Sequence, residues 1–156
     1  MNKEHLLTDA DLEGMTGEEL LQLGVDLYNS GRFFEAHEAW EAVWMEAPNR
    51  MRAFYQGLIQ VTAAFVHVTR NEYPGSVSLL EAGTSKLDVY APDTLGLDVS
   101  PFVAGAKAAR TAIVALGEKR LREFELGAVP VLRQLGPRVE SARLRELEMR
   151  LGIAGG

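Results

Sequence analysis

A histidine and two glutamates lie close together on one predicted helix and have the residue types of a metal site. His37, Glu38 and Glu41 form the pattern H-E-x-x-E, and residues i and i+4 of a helix lie on the same face. The pattern is similar to the H-E-x-x-H helix of zinc hydrolases, in which the outer residues bind the metal and the inner glutamate is the base. One hypothesis is therefore a metal-dependent hydrolase with His37 and Glu41 as ligands of a divalent metal and Glu38 as general base.

The same side chains also have structural explanations. His37 can form a hydrogen bond with Gln60 or with a neighbouring glutamate, and Glu38 and Glu41 can form ion pairs with nearby arginines. Those arginines are Arg32, Arg50 and Arg52. The leading functional hypothesis is a non-enzymatic module that binds a small ligand or a protein in a polar cleft between the second and third predicted helices.

Helix signals occur along most of the chain, and no convincing strand is found. Thr16 followed by Glu19 predicts a capping box, and Ser100 followed by Pro101 predicts another helix start. The predicted helices cover 17–30, 33–47, 51–70, 76–90 and 101–117, with further candidates over 118–126 and 137–151. These predict an all-α, single-domain bundle of about five to seven helices over residues 16–151. Residues 1–15 should be loosely ordered, and residues 152–156 should fray.

Helical phase divides the second predicted helix into a core face and a polar flank. At 100° per residue one core-facing stripe contains Phe33, Ala36, Trp40, Val43, Trp44 and Ala47. His37 lies at the edge of this stripe with Glu41 just beyond it, whereas Glu35 points the opposite way as a solvated charge.

The third predicted helix is apolar nearly all round and should be the central, buried helix. Its polar stripe contains Gln56, Gln60 and His67. If the chain folds back near Pro48, Gln60 lies level with His37, and His67 lies about 10 Å further along. The candidate cleft therefore consists of His37, Glu38, Trp40, Glu41, Trp44, Gln60 and His67.

Residues 20–48 also fit the pattern of a tetratricopeptide helical hairpin. The matching positions are Gly24, Gly31, Phe33, Ala36, Trp40 and Pro48. No similar segment recurs about 34 residues later, and a solenoid needs about three repeats. A single N-terminal hairpin of this kind within a bundle is the better interpretation.

Two runs of this sequence resemble a known family signature. Residues 27–41 with Trp44, and residues 56–60 with His67, Asn71 and Gly75, resemble the signature of a bacterial and archaeal domain-of-unknown-function family, number 309 in that series. The resemblance covers about residues 20–98. It implies a small multihelical bundle and brings no established activity, so the matching residues of the candidate cleft carry over only as a candidate site.

Composition limits the functional classes further. The 156 residues are 47% hydrophobic and include no cysteine, which excludes thiolate chemistry and Cys-based metal sites. Residues 1–117 carry 8 basic and 16 acidic side chains, a balance that argues against nucleic-acid binding. No cofactor is evident apart from the hypothetical divalent metal. The polar N-terminus and the lack of a long apolar run predict a cytoplasmic protein without a membrane partner, and leftover apolar helix surface is compatible with a homodimer.

Overall fold

The computed structural model describes residues 7–153, and nearly all of its regular structure is helical. The α-helices are α1 (Asp9–Glu13), α2 (Gly17–Asn29), α3 (Phe33–Glu46), α4 (Asn49–Thr69), α5 (Tyr73–Leu87), α6 (Val99–Leu116) and α7 (Ala142–Leu151). Single 3-10 segments cover Asp88–Tyr90, Glu118–Glu123 and Leu126–Ala128. Strands β1 (Asp93–Thr94) and β2 (Leu97–Asp98) form a short antiparallel ribbon. The predicted all-α multihelical bundle is confirmed.

α2 and α3 form an antiparallel hairpin that is closest at Gly24. A Cβ atom on Gly24 would lie 2.1 Å from Nε1 of Trp40, so only glycine lets the indole lie directly on α2. Trp40 is fully buried, and its Nε1–H donates a hydrogen bond to the carbonyl oxygen of Leu21 at 3.2 Å. This contact fixes the rotation of α3 about its own axis. The likeness of the hairpin to a tetratricopeptide unit stays a prediction.

α4 is the central helix, as its apolar circumference predicts. Its fully buried residues include Phe54, Val61 and Phe65. α5 packs closely against it, because a Cβ on Gly83 would lie 2.9 Å from the carbonyl oxygen of Gly57. Most of the side of α4 that is turned into the bundle is therefore apolar, and the buried Thr62 hydroxyl is bonded to the Leu58 carbonyl.

After α6 the chain returns to α2 in an extended conformation. The Asn29 side chain donates to the Leu132 carbonyl at 2.9 Å and accepts from the Leu132 amide, also at 2.9 Å. The Gln22 side-chain oxygen accepts from the Val139 amide at 2.9 Å. Side chains of α2 thus bind main-chain groups at Leu132 and Val139, and the ribbon binds those of Arg133 and Leu135.

The structure differs from the predicted helices in this C-terminal part. Residues 118–126 form 3-10 turns rather than an α-helix, and α7 begins at Ala142 rather than near Pro137. The Ser141 hydroxyl caps α7 by accepting from the Leu144 amide at 3.0 Å. The extended stretch before Ser141 is held by tertiary hydrogen bonds, which local periodicity does not reveal.

The N-terminal region is also more ordered than expected. Thr8 and Asp11 form a capping box around α1, and the Asp11 carboxylate pairs with Arg150 of α7. Ile153 near the C-terminus is buried, although fraying was expected there. Residues 1–6 and 154–156 lie outside the described residues.

The segment between α5 and α6 contains the short ribbon, although the sequence shows no convincing strand. Leu95 and Gly96 both have positive φ angles, 52° and 75°, which suit a tight two-residue hairpin turn. α6 then begins at Val99 with Asp98 as its N-cap, two residues before the predicted start at Pro101.

α6 is long and apolar enough to cross a membrane by length and composition. Its 18 residues have a mean hydropathy of 1.3, and 33% of them are buried. Phe102, Ala106 and Ile113 are among its buried residues, and the helix packs against α5.

Candidate functional site

The outward face of α3 is apolar at both ends and polar between them. Phe34 is 51% exposed and Met45 is 71% exposed. Glu41 lies between them and is also exposed. Two large apolar side chains therefore remain in solvent on the same helix as the candidate histidine.

His37 lies at the edge of this face, and the hydrogen-bonding capacity of its two ring nitrogens is only partly used. Its Nε2 is 3.6 Å from Glu41 Oε2, a distance typical of an ion pair but too long for a hydrogen bond. Its Nδ1 is buried and has no hydrogen-bond partner within residues 7–153. The ring stacks on Phe34 with centroids 6.1 Å apart and an interplanar angle of 17°. The hydrogen bond to Gln60 or to a glutamate that the structural explanation needs is not formed.

The two tryptophans of α3 have different surroundings. Trp40 is fully buried, as the predicted core stripe requires. Trp44 is only partly buried, and the Arg52 guanidinium lies 4.2 Å from the centroid of its indole ring. Its Nε1 is buried without a hydrogen-bond partner in the described part of the chain. Ala39, which is fully buried, rather than Trp44, completes the core stripe, because the Gly24 contact rotates α3.

The glutamates of α3 divide between two sides. Arg32 binds Glu35 through two hydrogen bonds of 2.6 and 2.8 Å, so Glu35 is not the solvated charge that helical phase predicts. Partial burial, followed by the charges of Glu35, Asp9 and Glu41, raises the pKa of the Glu38 carboxyl. Among residues 7–153, neither Glu38 nor Glu41 forms an ion pair with an arginine.

Gln60 lies level with His37 but on a different stripe of α4. Contacts between Phe33 and Phe65 and between Trp44 and Arg52 fix the antiparallel register and bring residue 37 level with about residue 60. Gln60, however, follows Gly57 by three residues, and Gly57 faces α5. The Gln60 Oε1 atom is buried and has no hydrogen-bond partner within the described residues.

His67 belongs to a separate contact at the end of α4. Its Nδ1 lies 2.7 Å from Glu72 Oε1, and a Cβ on Gly75 would lie 2.9 Å from its ring. Asn71 has a positive φ of 58° in the turn that brings these residues together. The prediction that His67 and His37 do not form one compact site agrees with this pairing.

The segment that contains these residues matches a known family model. Residues 21–79 match the family described as Domain of unknown function (DUF309). We refer to residues 21–79 as the DUF309 segment because of this match. No curated protein matches the chain. The match confirms the family resemblance, includes His37, Gln60 and His67, and ends before residues 80–98.

The DUF309 segment does not enclose the candidate residues in any of five detected cavities. These cavities have volumes of about 230–500 Å³. The second largest, about 380 Å³, lies between Leu20, Val43 and Tyr55. None of the five linings contains His37, Glu41, Trp44, Gln60 or His67. Within residues 7–153 no group of three or more histidine and acidic side chains is arranged to hold a metal ion.

One buried charge cluster joins the DUF309 segment to the C-terminal part of the chain, and the sequence patterns above do not identify it. Arg138 pairs with Asp26 at 3.0 Å and with Glu148 at 3.1 Å. A signal is present in the sequence, because Glu148 lies on the same helical stripe as Leu144 and Leu151. A charge on such a core-facing stripe needs a buried partner.

Proposed function

We propose that the DUF309 segment is a non-enzymatic binding module and that its binding surface is the outward side of α3 and α4. We call this surface the α3–α4 face. It consists of Phe34, His37, Glu41, Trp44 and Met45 on α3 and of Gln56, Gln60 and His67 on α4. We infer that its partner is a protein rather than a small ligand.

Unpartnered polar atoms carry the proposal. His37 Nδ1, Trp44 Nε1 and Gln60 Oε1 are buried without hydrogen-bond partners within residues 7–153. A buried polar group without a partner costs about 1–3 kcal/mol. These three atoms, on two adjacent helices, are hydrogen-bonding capacity that folding alone leaves unused.

The shape and composition of the face favour a protein partner. Phe34 and Met45 flank the polar atoms and are largely exposed, and aromatic and methionine side chains are enriched at protein interfaces. One of the five cavities reaches Phe34 at the edge of the face, but none includes its polar residues, whereas small-molecule sites are usually concave with polar groups in the lining. A shallow surface with two apolar ends and a polar centre suits an amphipathic segment of another protein.

A capture experiment with matched variants tests this proposal. Phe34→Ser combined with Met45→Ser removes the apolar ends, whereas Val89→Ser changes a residue that is 80% exposed elsewhere. Proteins captured from a lysate by the wild type and by the Val89 variant, but not by the double variant, are expected. Capture that is equal for all three proteins would contradict the proposal.

A titration then separates specific binding from nonspecific binding. The two tryptophan indole N–H groups give two resonances in a ¹⁵N spectrum, and Trp40 is an internal control because its N–H is already bonded to Leu21. On addition of the purified partner, the Trp44 resonance should shift and that of Trp40 should not. A Trp44 resonance that stays unchanged during saturable binding would place the surface elsewhere.

The metal-dependent hydrolase is the second candidate, supported by the free His37 Nδ1 and the nearby Glu41 carboxylate. His37 and Glu41 supply two donors and Glu38 is the candidate base, so a third ligand would have to come from elsewhere. Titration with Zn²⁺ or Mn²⁺ alone, followed by calorimetry, tests this candidate. Stoichiometric binding lost in His37→Ala but kept in His67→Ala would favour the hydrolase over the binding module.

A further inference from the structure

The C-terminal part of the chain is anchored by a buried charge cluster on α2. The Arg138 Nη1 lies 3.1 and 3.0 Å from the two carboxylate oxygens of Asp26. Its Nη2 lies 3.1 and 3.4 Å from those of Glu148. The Asp26 and Glu148 side chains are only 8% and 4% exposed. One guanidinium therefore connects two buried carboxylates from opposite ends of the chain.

The charges of this buried cluster do not balance unless it holds a proton. Two ionised carboxylates against one guanidinium leave one net negative charge, and an uncompensated buried charge is strongly unfavourable. One proton shared between Asp26 and Glu148 removes this charge. Burial, together with the neighbouring Asp26, raises the pKa of Glu148, and Arg138 only partly opposes the shift.

The other groups around the cluster do not supply the missing charge. From the connecting segment, Glu140 lies 3.3 Å from Arg138 Nε and adds a further negative charge, although its side chain is 55% exposed. From α2, Gln22 donates to Asp26 Oδ1 at 3.0 Å and is neutral. Glu19, one turn before Gln22, has its own partners in the segment, the Ser141 hydroxyl at 2.6 Å and Arg143 at 3.2 Å.

Most other contacts of the segment are insensitive to pH near neutrality. Tyr28 donates to the Pro130 carbonyl at 2.7 Å, and Asn29 binds both main-chain groups of Leu132. The carboxylates of Glu19 and Asp11 have lowered pKa values, so their ion pairs with arginines remain charged above pH 5. Glu148, whose pKa burial and the neighbouring Asp26 raise, is the group in this cluster whose charge changes at neutral to alkaline pH.

We propose that residues 129–153 form a pH-gated latch on α2. The shared proton holds the latch closed, and its release to solvent as the pH rises opens the latch locally while α2 to α6 stay folded. Opening exposes the side chains of Gln22, Asp26 and Asn29, which bind main-chain and charged groups of the latch in the closed form.

The linkage between proton release and latch opening gives the direction and the size of the pH effect on the opening constant. Because the closed form keeps a proton that the open form releases, opening becomes more favourable as the pH rises above the ordinary carboxyl range. For one proton the opening constant increases by up to about tenfold per pH unit. The increase levels off above the raised pKa of Glu148, where both forms are deprotonated.

Hydrogen exchange measured by mass spectrometry tests the latch in the full chain. Protection factors, corrected for the intrinsic exchange rate, are compared from pH 5.5 to 9 for peptides from α7 and for peptides from α4. The wild type should lose protection in α7 by up to about tenfold per pH unit, and α7 should stay less protected than α4 at every pH, because the latch opens without unfolding α4. Glu148→Gln should abolish this slope, and the matched control Glu140→Gln should retain it.

Every other result overturns the proposal. A wild-type α7 whose protection does not depend on pH has no proton-controlled contact, and equal protection of α7 and α4 at every pH means global unfolding rather than a latch. A slope that persists in Glu148→Gln assigns the titration to another group. If Glu148→Gln does not fold, Asp26→Asn removes the same excess charge, and it must flatten the slope in the same way.

Discussion

Replacing Gly24 by alanine tests whether the Trp40 contact sets the position of α3 and therefore of His37. The added Cβ would lie 2.1 Å from Trp40 Nε1, whereas ordinary contacts begin at 3.4 Å. The indole must therefore move by about 1.3 Å within a fully packed core, or the helices must separate. Either response also weakens the hydrogen bond from Trp40 to the Leu21 carbonyl.

The expected change in the free energy of unfolding of Gly24→Ala combines three contributions. Overpacking of a core costs about 1–3 kcal/mol, and the weakened hydrogen bond costs about 0.5–1.5 kcal/mol. Alanine recovers about 1 kcal/mol through its higher helix propensity. The free energy of unfolding should fall by about 2 kcal/mol, which corresponds to a decrease in Tm of about 4–8 °C for a chain of this size.

Urea denaturation followed by circular dichroism measures this change. Gly17→Ala is the matched control in the same helix, because its Cβ would lie at an ordinary 3.6 Å from Val43, and its stability should stay within about 0.5 kcal/mol of the wild type. In a Trp40→Phe background the cost of Gly24→Ala should shrink, since the smaller ring leaves room. A Gly24→Ala protein as stable as the wild type, or an equal cost in both backgrounds, would refute the reasoning.

Three further predictions follow from the same contacts. Trp40→Ala should lower the free energy of unfolding by about 3–5 kcal/mol, and a loss below about 1 kcal/mol in urea denaturation would mean that the core face of α3 is wrongly assigned. Arg52→Ala should uncover Trp44, cost about 0.5–1 kcal/mol and increase acrylamide quenching of its fluorescence; unchanged quenching would contradict the stacking. Because burial and Asp26 raise the pKa of Glu148 to about 8, the free energy of unfolding should fall between pH 6 and 8 by up to about 1.4 kcal/mol per unit and level off above. In Glu148→Gln this decrease should vanish, and a decrease of equal size there would assign it to other groups.

Local sequence patterns predicted the positions of α2, α3 and α4 well. The capping box of Thr16 and Glu19 starts α2, and the periodic apolar residues identified α4 as the central helix. These features depend on residues within about one or two turns of each other, so the sequence contains them directly. The family match over residues 21–79 depends on the same part of the chain.

The sequence indicated the residues of the candidate site but not the contacts that these residues make. Trp44 was expected in the core, yet the close approach of Trp40 to Gly24 rotates α3 and leaves Trp44 at the surface beneath Arg52. The predicted level of Gln60 agrees with the register, whereas its hydrogen bond to His37 is not formed. Counting residues gives the position along a helix, but the rotation of that helix depends on how its neighbour packs.

By itself, the sequence determined that this chain is helical, where its main helices lie, that α4 is the central helix and which family its first half resembles. The tertiary structure alone decided that Glu35 is paired with Arg32, that residues 130–139 are extended along α2, and that Asp26, Arg138 and Glu148 share a buried cluster. Asp26 and Arg138 are 112 residues apart. Helical periodicity tells which face of a segment is buried, but the identity of a partner so distant in sequence is fixed only when the segments pack together.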